Sequence, residues 1–307
     1  MKAVVINKYG GNDVIEVKEM PRPAPGPDEV LIRVRAASVN PIDWKIRQGM
    51  LRGMLRAAFP IVLGRECSGE VIEAGGAVKL FKKGDEVIAV PEMGQLGSFA
   101  EYVAAPEQAV FPKPKNISFE EAATLPIAAL TALRALRDAG EIKKDMKVLV
   151  VGAAGGVGHF AIQVAKVFGA DVTAVCKGSN ADFVKGLGAD KVIDYTKENF
   201  TKGSGKYDII FDAVAKHFFD ECKNVLTPKG VYVSTLQISG HLAEGGKQAR
   251  MVSGGPTPED MAWMKARIEE GKIRVAIGKV YALDNAREAL AESETEQARG
   301  KIVLKAA

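Results

Sequence analysis

The residues best suited to chemistry in this chain form a short glycine-rich turn, Ala153-Ala154-Gly155-Gly156-Val157-Gly158. It stands between an apolar run, Val148 to Val151, and a segment of helical spacing that opens near Gly156. A strand, a glycine turn and a helix N-terminus in this order can hold the pyrophosphate of a dinucleotide. Gly155 has no Cβ to keep the phosphates away, and Gly158 lets the helix sit close on the strand. The first N–H groups of the helix and its positive dipole end face the anion. Ala153 stands where the usual pattern has its first glycine. On this reading Ala154, Gly155, Gly156, Val157 and Gly158 contact the cofactor.

A second group lies at the end of the next apolar run, Val172 to Val175, which closes in Cys176-Lys177-Gly178-Ser179-Asn180. Enzymes that use NAD normally place an Asp or Glu here to take the ribose hydroxyls. No acid is present to repel a 2′-phosphate. Lys177 offers a cation and Ser179 a hydroxyl, which favours NADPH.

These groups need elements to carry them. The first hundred residues alternate short β-type runs with Gly and Pro: Lys2 to Asn7, Val30 to Ala36, Glu70 to Glu73, Glu86 to Val90 and Phe99 to Ala104. Turn signals such as PRPAPGPDE and KKGDE separate them, which suggests a β-rich, barrel-like unit. From Ile117 the texture changes. Ser118 with Glu121 forms a capping box, and an Ala- and Leu-rich helix should run towards Ala139. Strands are then expected at 148–151, 172–176, 191–194, 208–213 and 230–235, with helices at 156–168, 180–187 and 217–226. That alternation implies a parallel, doubly wound sheet with right-handed crossovers. The tail should hold a helix from Pro258 to Gly271 and strands near Val275 to Val280 and Lys301 to Lys305.

Composition bounds the rest. With 307 residues, 47% hydrophobic and 26% charged, two ordinary globular domains are expected. The net charge of +4 is mild and dispersed, so no nucleic-acid partner is expected. Three scattered cysteines, Cys67, Cys176 and Cys222, form neither a disulfide framework nor a CxxC zinc ribbon and point to a reducing compartment. The start MKAVVINKYGG lacks a signal-peptide core, and the apolar run Ala122 to Leu133 carries Pro126 and is too short to span a membrane. A cytoplasmic protein is the expectation.

The wording of several stretches resembles the medium-chain dehydrogenase/reductase superfamily, in its zinc-free quinone oxidoreductase branch. The most specific stretch is Asp145 to Lys166, where Asp145, Met146, Leu149, Ala153 to Gly156, Gly158, Gln163 and Lys166 fit the branch fingerprint. SVNPIDWKIRQG (38–49), LGRECSGEVIEAGGAV (63–78), FKKGDEV (81–87), GSFAEYV (97–103), LPIAALTAL (125–133), LGADKVIDY (187–195) and GKIVL (300–304) support it. The resemblance implies an α/β protein: a GroES-like barrel domain from 1–121 and 257–307, with a Rossmann domain of 122–256 inserted. It also implies a homodimer.

By the same resemblance, Asn40 and Asp43 are the catalytic candidates, lying with Thr131 at the nicotinamide and its ribose; Asn40 would donate to a developing oxyanion. Tyr195 resembles the family tyrosine that contacts the 2′-phosphate, and Leu236 joins the cofactor contacts. Trp44 and Met50 suit either an apolar substrate pocket or the core. Tyr9 and Lys45 are donors near the site or ordinary surface groups. In the zinc alcohol dehydrogenases of the superfamily a Cys, a His-Glu pair and a further Cys or carboxylate bind the metal. Here Asn40 stands at the first Cys position and Arg65 at the His, within Gly64-Arg65-Glu66. Asn and Arg do not make a zinc site, so no metal is expected.

Without a Lewis acid a simple ketone is a poor hydride acceptor. Quinones and α,β-unsaturated carbonyls give delocalised oxyanions that a few aimed donors can stabilise. The expected activity is NADPH-dependent reduction of these compounds. Two rivals remain at this stage: a non-catalytic, crystallin-like NADPH-binding protein with or without RNA binding, and an enoyl-thioester reductase. The second would need a basic groove, to which Arg47, Arg52 and Arg56 are the candidates, although a solvated face explains them as well.

Overall fold

The computed structural model describes residues 1–53, 58–91, 97–235, 243–244, 246–252 and 254–306. Leu236, Arg56 and His241 fall outside them. The chain forms two compact units. The first comprises Met1–Ile127, Pro256–Glu269 and Val275–Ala307, and the second Ala128–Gly255 with Glu270–Arg274.

The first unit is built on β-strands. Lys2–Ile6 pairs antiparallel with Ile15–Glu19 on one side and Ile61–Val62 on the other. A seven-stranded sheet runs Ile277–Ala282, Lys301–Lys305, Glu29–Val39, Cys67–Ala74, Glu86–Ala89, Val110–Pro112, with Tyr102–Pro106 also paired to Glu29–Val39. Alternate apolar residues of these strands, among them Val4, Ile6, Ile32, Val71, Ile302 and Leu304, form one core with Phe99 and with Leu290 from the Ala286–Glu294 helix.

Register in this sheet decides where the polar residues meet. Val39 pairs with Ile302, and Ala37 with Cys67, so Asn40, Glu66 and Lys301 flank the same three strand ends. The Pro41–Arg47 helix starts at this point. Pro41 suits its first turn, having no N–H to lose and a φ already helical. Asp43 caps the turn by accepting the Asn40 N–H at 2.7 Å. Asn40 and Asp43 are turn-forming residue types, yet here they open a helix.

The second unit carries a seven-stranded sheet in the order Lys191–Asp194, Asp171–Cys176, Lys147–Val151, Tyr207–Asp212, Leu226–Ser234, Lys247–Met251, Ala243–Glu244. All neighbours are parallel except the last pair, which is antiparallel. Numbered by appearance within the unit, the parallel strands run 3-2-1-4-5-6, the doubly wound dinucleotide-binding order. The order reverses between Lys147–Val151 and Tyr207–Asp212, so the carboxyl ends of these two strands mark the ligand crevice of this fold class.

Several elements differ from expectation. The Ser118–Glu121 capping box forms, with Glu121 N–H to Ser118 Oγ at 3.1 Å and Ser118 N–H to Glu121 Oε2 at 2.8 Å. The helix it opens stops at Ala122, and wider turns at Leu125–Ala129 and Ala135–Ala139 flank a short helix at Leu130–Arg134. Pro126, which lacks an N–H, cannot continue an α-helical ladder. The helix expected at 217–226 shrinks to Phe219–Cys222 followed by a 3-10 turn. Asp212 accounts for the missing turn: its Oδ1 accepts from Val214 and Ala215, and its Oδ2 from Lys216 and His217. These N–H groups are held in a tight loop instead of a helix.

Candidate active site

The dinucleotide turn follows Val151 in the second unit. Gly152 takes φ +71°, a left-handed conformation that favours glycine, and Gly155 N–H closes the turn on Gly152 O at 3.0 Å. A Cβ on Gly158 would run into that same carbonyl oxygen and into Ala153 Cα. Gly158 is therefore what brings the Gly158–Val167 helix onto the strand. Ala153 and Ala154 are buried beneath the turn, while Gly155, Gly156 and Val157 are half-buried. Gly152 was not among the expected contacts; it precedes the motif, and its role shows only in its backbone angle.

Two fingerprint residues beyond the glycines serve the frame. Gln163 Nε2 donates to Arg274 O at 2.9 Å, and Arg274 N–H donates to Gln163 Oε1 at 2.9 Å. This pair holds the segment Glu270–Arg274 on the second unit. Lys166 Nζ binds Asp190 Oδ2 at 2.8 Å and Ala170 O at 3.0 Å.

The two pieces expected at the 2′-phosphate come together. Asp171–Cys176 and Lys191–Asp194 are parallel neighbours, with Cys176 opposite Asp194, and Tyr195 N–H donates to Cys176 O at 3.2 Å. Lys177, Ser179 and Tyr195 are all exposed at the carboxyl ends of these strands. Asp194 ends the second of these strands with its Oδ2 against Gly178, a carboxylate inside the LGADKVIDY stretch. Thr131 is half-buried on the Leu130–Arg134 helix of this same unit.

In the first unit the strand ends hold a buried polar cluster. Asn40 Nδ2 donates to Glu66 Oε1 at 2.6 Å and to Ser38 O at 3.3 Å, and Lys301 Nζ donates to Asn40 Oδ1 at 2.6 Å. Lys301 Nζ lies 3.5 Å from Glu66 Oε1, and Glu66 Oε2 accepts the Ile127 N–H at 2.7 Å. Asp43 and Glu66 are fully buried, and Asn40 and Lys301 are 4% and 3% exposed.

Burial sets the electrostatics. Loss of hydration pushes the Asp43 carboxyl up to about 7; the Asn40 N–H opposes this, Glu66 adds to it, and the cations Arg65 and Lys301 pull it down. Loss of hydration lowers Lys301 below the usual amine range against the attraction of Glu66 and Asp43, and it lowers Arg65 likewise. Asp43 Oδ1 is buried with no hydrogen-bond partner.

Both amide hydrogens of Asn40 are thus committed within the protein. The expected oxyanion donor gives its amide hydrogens to Glu66 and Ser38. Lys301 and Glu66 were absent from the candidate residues. GKIVL and the Gly64-Arg65-Glu66 wording had singled out their stretches, but their meeting depends on strand register.

The residues expected at the substrate lie in this first unit. Trp44 and Tyr9 are half-buried against its apolar core. The Tyr9 ring packs over Gly49 and stands edge-on to Phe59 at 4.9 Å. Lys45 Nζ lies 5.3 Å from the Trp44 ring centre, within cation–π range. Met50 is 62% exposed and outside the core. Arg47, proposed above for a basic groove, is fully buried instead. Its guanidinium binds Gly10 O, Asn12 Oδ1 and Glu294 Oε2, so it fastens the Gly10–Asn12 loop to the helix.

The chain matches the zinc-binding dehydrogenase family over residues 187–304 and the alcohol dehydrogenase GroES-like domain over residues 26–115. It is 36% identical over 323 residues to the chloroplast envelope quinone oxidoreductase homologue of Arabidopsis thaliana, covering 99% of this chain and 98% of that relative. This chain belongs to the quinone oxidoreductase branch of the medium-chain dehydrogenase/reductase superfamily. Within the same superfamily, it is 36% identical over 315 residues to the 2-methylene-furan-3-one reductase of Solanum lycopersicum, covering 99% of this chain and 79% of that protein. Its fold superimposes on the quinone oxidoreductase from Coxiella burnetii with a TM-score of 0.91 at 34% identity, covering 99% of both chains.

The zinc that one of these family descriptions names can be tested against the donors present. The first ligand position holds Asn40, whose amide is locked between Glu66 and Lys301. The second holds Arg65, and the Lys301 ammonium stands beside both Asn40 and Glu66. Among the described residues no three of His, Cys, Asp and Glu are grouped to hold a metal ion. Two cations and a committed amide do not fit a zinc site. No helix among the described residues is long and apolar enough to cross a membrane.

Proposed function

We propose that this chain is an NADPH-dependent reductase of quinones and α,β-unsaturated carbonyls that works without a metal. The observation that carries the reading is the pole at the ends of Asp171–Cys176 and Lys191–Asp194. Lys177, Ser179 and Tyr195 are gathered there, and the strand end that holds an acid in NAD enzymes holds Lys177. The Gly152–Gly158 turn takes the pyrophosphate, and Leu236, outside the described residues, remains a proposed contact. The names of the Arabidopsis and Solanum relatives agree with the acceptor class.

The cofactor supplies the hydride. The protein supplies position: Lys301 and Glu66 fix Asn40, and Asn40 and Asp43 fix the start of the Pro41–Arg47 helix that carries Trp44 and Lys45. Tyr9 and Trp44 offer apolar surface suited to a flat acceptor, and Thr131 stays a proposed nicotinamide contact. Quinones and enones suit such a site because the charge they gain is delocalised. The protein is further proposed to be a cytoplasmic homodimer, which light scattering and localisation would check.

The test is loss of nicotinamide absorbance with NADPH against quinones, enones, enals, enoyl thioesters and simple ketones. Turnover of quinones or enones supports the reading. Turnover of simple ketones alone, or tight NADPH binding with no turnover at all, would overturn it.

A further inference from the structure

The NADPH pole contains an acid that the reading above does not use. Asp194 closes the Lys191–Asp194 strand, opposite Cys176 and next in the chain to exposed Tyr195. A free carboxylate there would repel a 2′-phosphate and would accept a ribose 2′-hydroxyl, as in an NAD site. This one is engaged elsewhere. Its Oδ1 accepts the Thr196 N–H at 3.1 Å and the Thr196 hydroxyl at 2.8 Å. Its Oδ2 lies against the bare Cα of Gly178, and Lys197 Nζ lies 3.9 Å from that oxygen. A Cβ on Gly178 would fall on Asp194 Oδ2. Gly178 has no left-handed φ, so its lack of a side chain answers this close approach and not a special backbone conformation.

Resting on the NADPH reading, we infer that Asp194 is a positioning residue for cofactor choice. It ties the Lys177–Asn180 turn to the Tyr195–Lys197 turn, so that cation, hydroxyl and phenol face one phosphate. Its Oδ1 is taken by the N–H and hydroxyl of Thr196 on one loop, and its Oδ2 is packed against Gly178 on the other. The requirement for glycine at 178 follows, and so does the exclusion of an acid at that position. A charge-assisted hydrogen bond to backbone N–H holds a loop more firmly than a neutral one.

The test compares Asp194→Asn and Asp194→Ala with the unaltered protein, measuring kcat and KM for NADPH and NADH with one quinone, and NADPH binding by fluorescence without acceptor. Asn keeps an acceptor for Thr196 but loses the charge and one acceptor oxygen. The expected result is a KM and Kd for NADPH raised about tenfold, kcat within about twofold, and a lower NADPH-to-NADH selectivity, about the size of one charge-assisted bond. Improved NADPH binding would show that the carboxylate faces the phosphate and would overturn the inference. Unchanged constants would overturn it as well.

Gly178→Ala provides a second arm that does not depend on Asp194 variants folding well. It should impair NADPH binding alone, and adding Asp194→Ala should cause no further loss, because both act through one contact. Additive losses would count against it. The underlying reading is judged separately, by the cofactor preference of the unaltered protein and of Lys177→Asp. If Lys177→Asp cuts NADPH use and Asp194→Asn does not, only the present inference fails. Preference of the unaltered protein for NADH would overturn both.

Discussion

Lys301 stands against Asn40, 261 positions earlier in the chain, with its Nζ 2.6 Å from the amide oxygen. An ammonium only donates and a carboxylate only accepts, so Lys301 on one side and Glu66 on the other leave one orientation for the amide. Removing Lys301 would strand a buried carboxylate and a buried carbonyl. Lys301→Met is therefore expected to cost about 3 kcal/mol or more. A denaturant titration should show an earlier midpoint, and an unchanged midpoint would refute the account.

Asp43 gives a pH signature. Its carboxyl titrates near 7 in the folded chain against 3.8 when solvated. Between these values the unfolded chain has released the proton that the folded chain keeps, so stability falls as pH rises. The contribution of Asp43 is fully present below about pH 4 and lost as pH passes 7, with a span of up to about 4 kcal/mol. Asp43→Asn does not titrate. Its stability relative to the unaltered protein should climb from pH 4 to pH 7 in parallel unfolding curves, and a constant difference would contradict the assignment.

Charge at the end of the second strand should govern cofactor choice. Lys177→Asp is expected to raise the KM for NADPH by about tenfold to a hundredfold, the range of one to two lost charge-assisted bonds, with a much smaller change for NADH. Equal losses with both cofactors would remove Lys177 from the phosphate site.

The close approach of helix and strand at Gly158 is tested by Gly158→Ala. The added methyl has to displace the Gly152 carbonyl or the helix, which shifts the N–H groups of the turn. NADPH binding should weaken at least about tenfold, since misplacing several backbone donors costs more than one neutral hydrogen bond. Calorimetry with NADPH would show it, and binding of unaltered strength would mean that the turn is not at the pyrophosphate.

Arg47 makes the plainest stability prediction. Arg47→Leu removes its bonds to Gly10, Asn12 and Glu294 and releases the Gly10–Asn12 loop, at a cost of about 2 kcal/mol. Thermal unfolding should record the loss.

How much of this could be read beforehand depends on the range of the interactions. The second unit was legible because strand, glycine turn and helix are contiguous, and Lys177 and Ser179 follow their strand directly. Its Tyr195 contact needed one neighbouring strand. The polar cluster of the first unit was not legible, since Asn40, Glu66 and Lys301 meet only through the register of three strands. Arg47 read as a basic groove residue because its partners Gly10 and Glu294 lie far away in sequence on opposite sides. Asp212 shortened an expected helix by a side-chain contact that no periodicity reveals.

The place of Lys301 in its sheet also has a consequence for the order in which the protein takes shape during synthesis. The Ala128–Gly255 stretch is continuous in sequence, so the doubly wound sheet has all its strands before residue 301 is translated. The Ala36–Val39 end of the Glu29–Val39 strand, made much earlier, must wait for Lys301–Lys305 before it is paired and before Glu66 gains its ammonium. The dinucleotide-binding half can assemble on the ribosome while the first-made half is still incomplete, so the nascent chain matures from its middle outward.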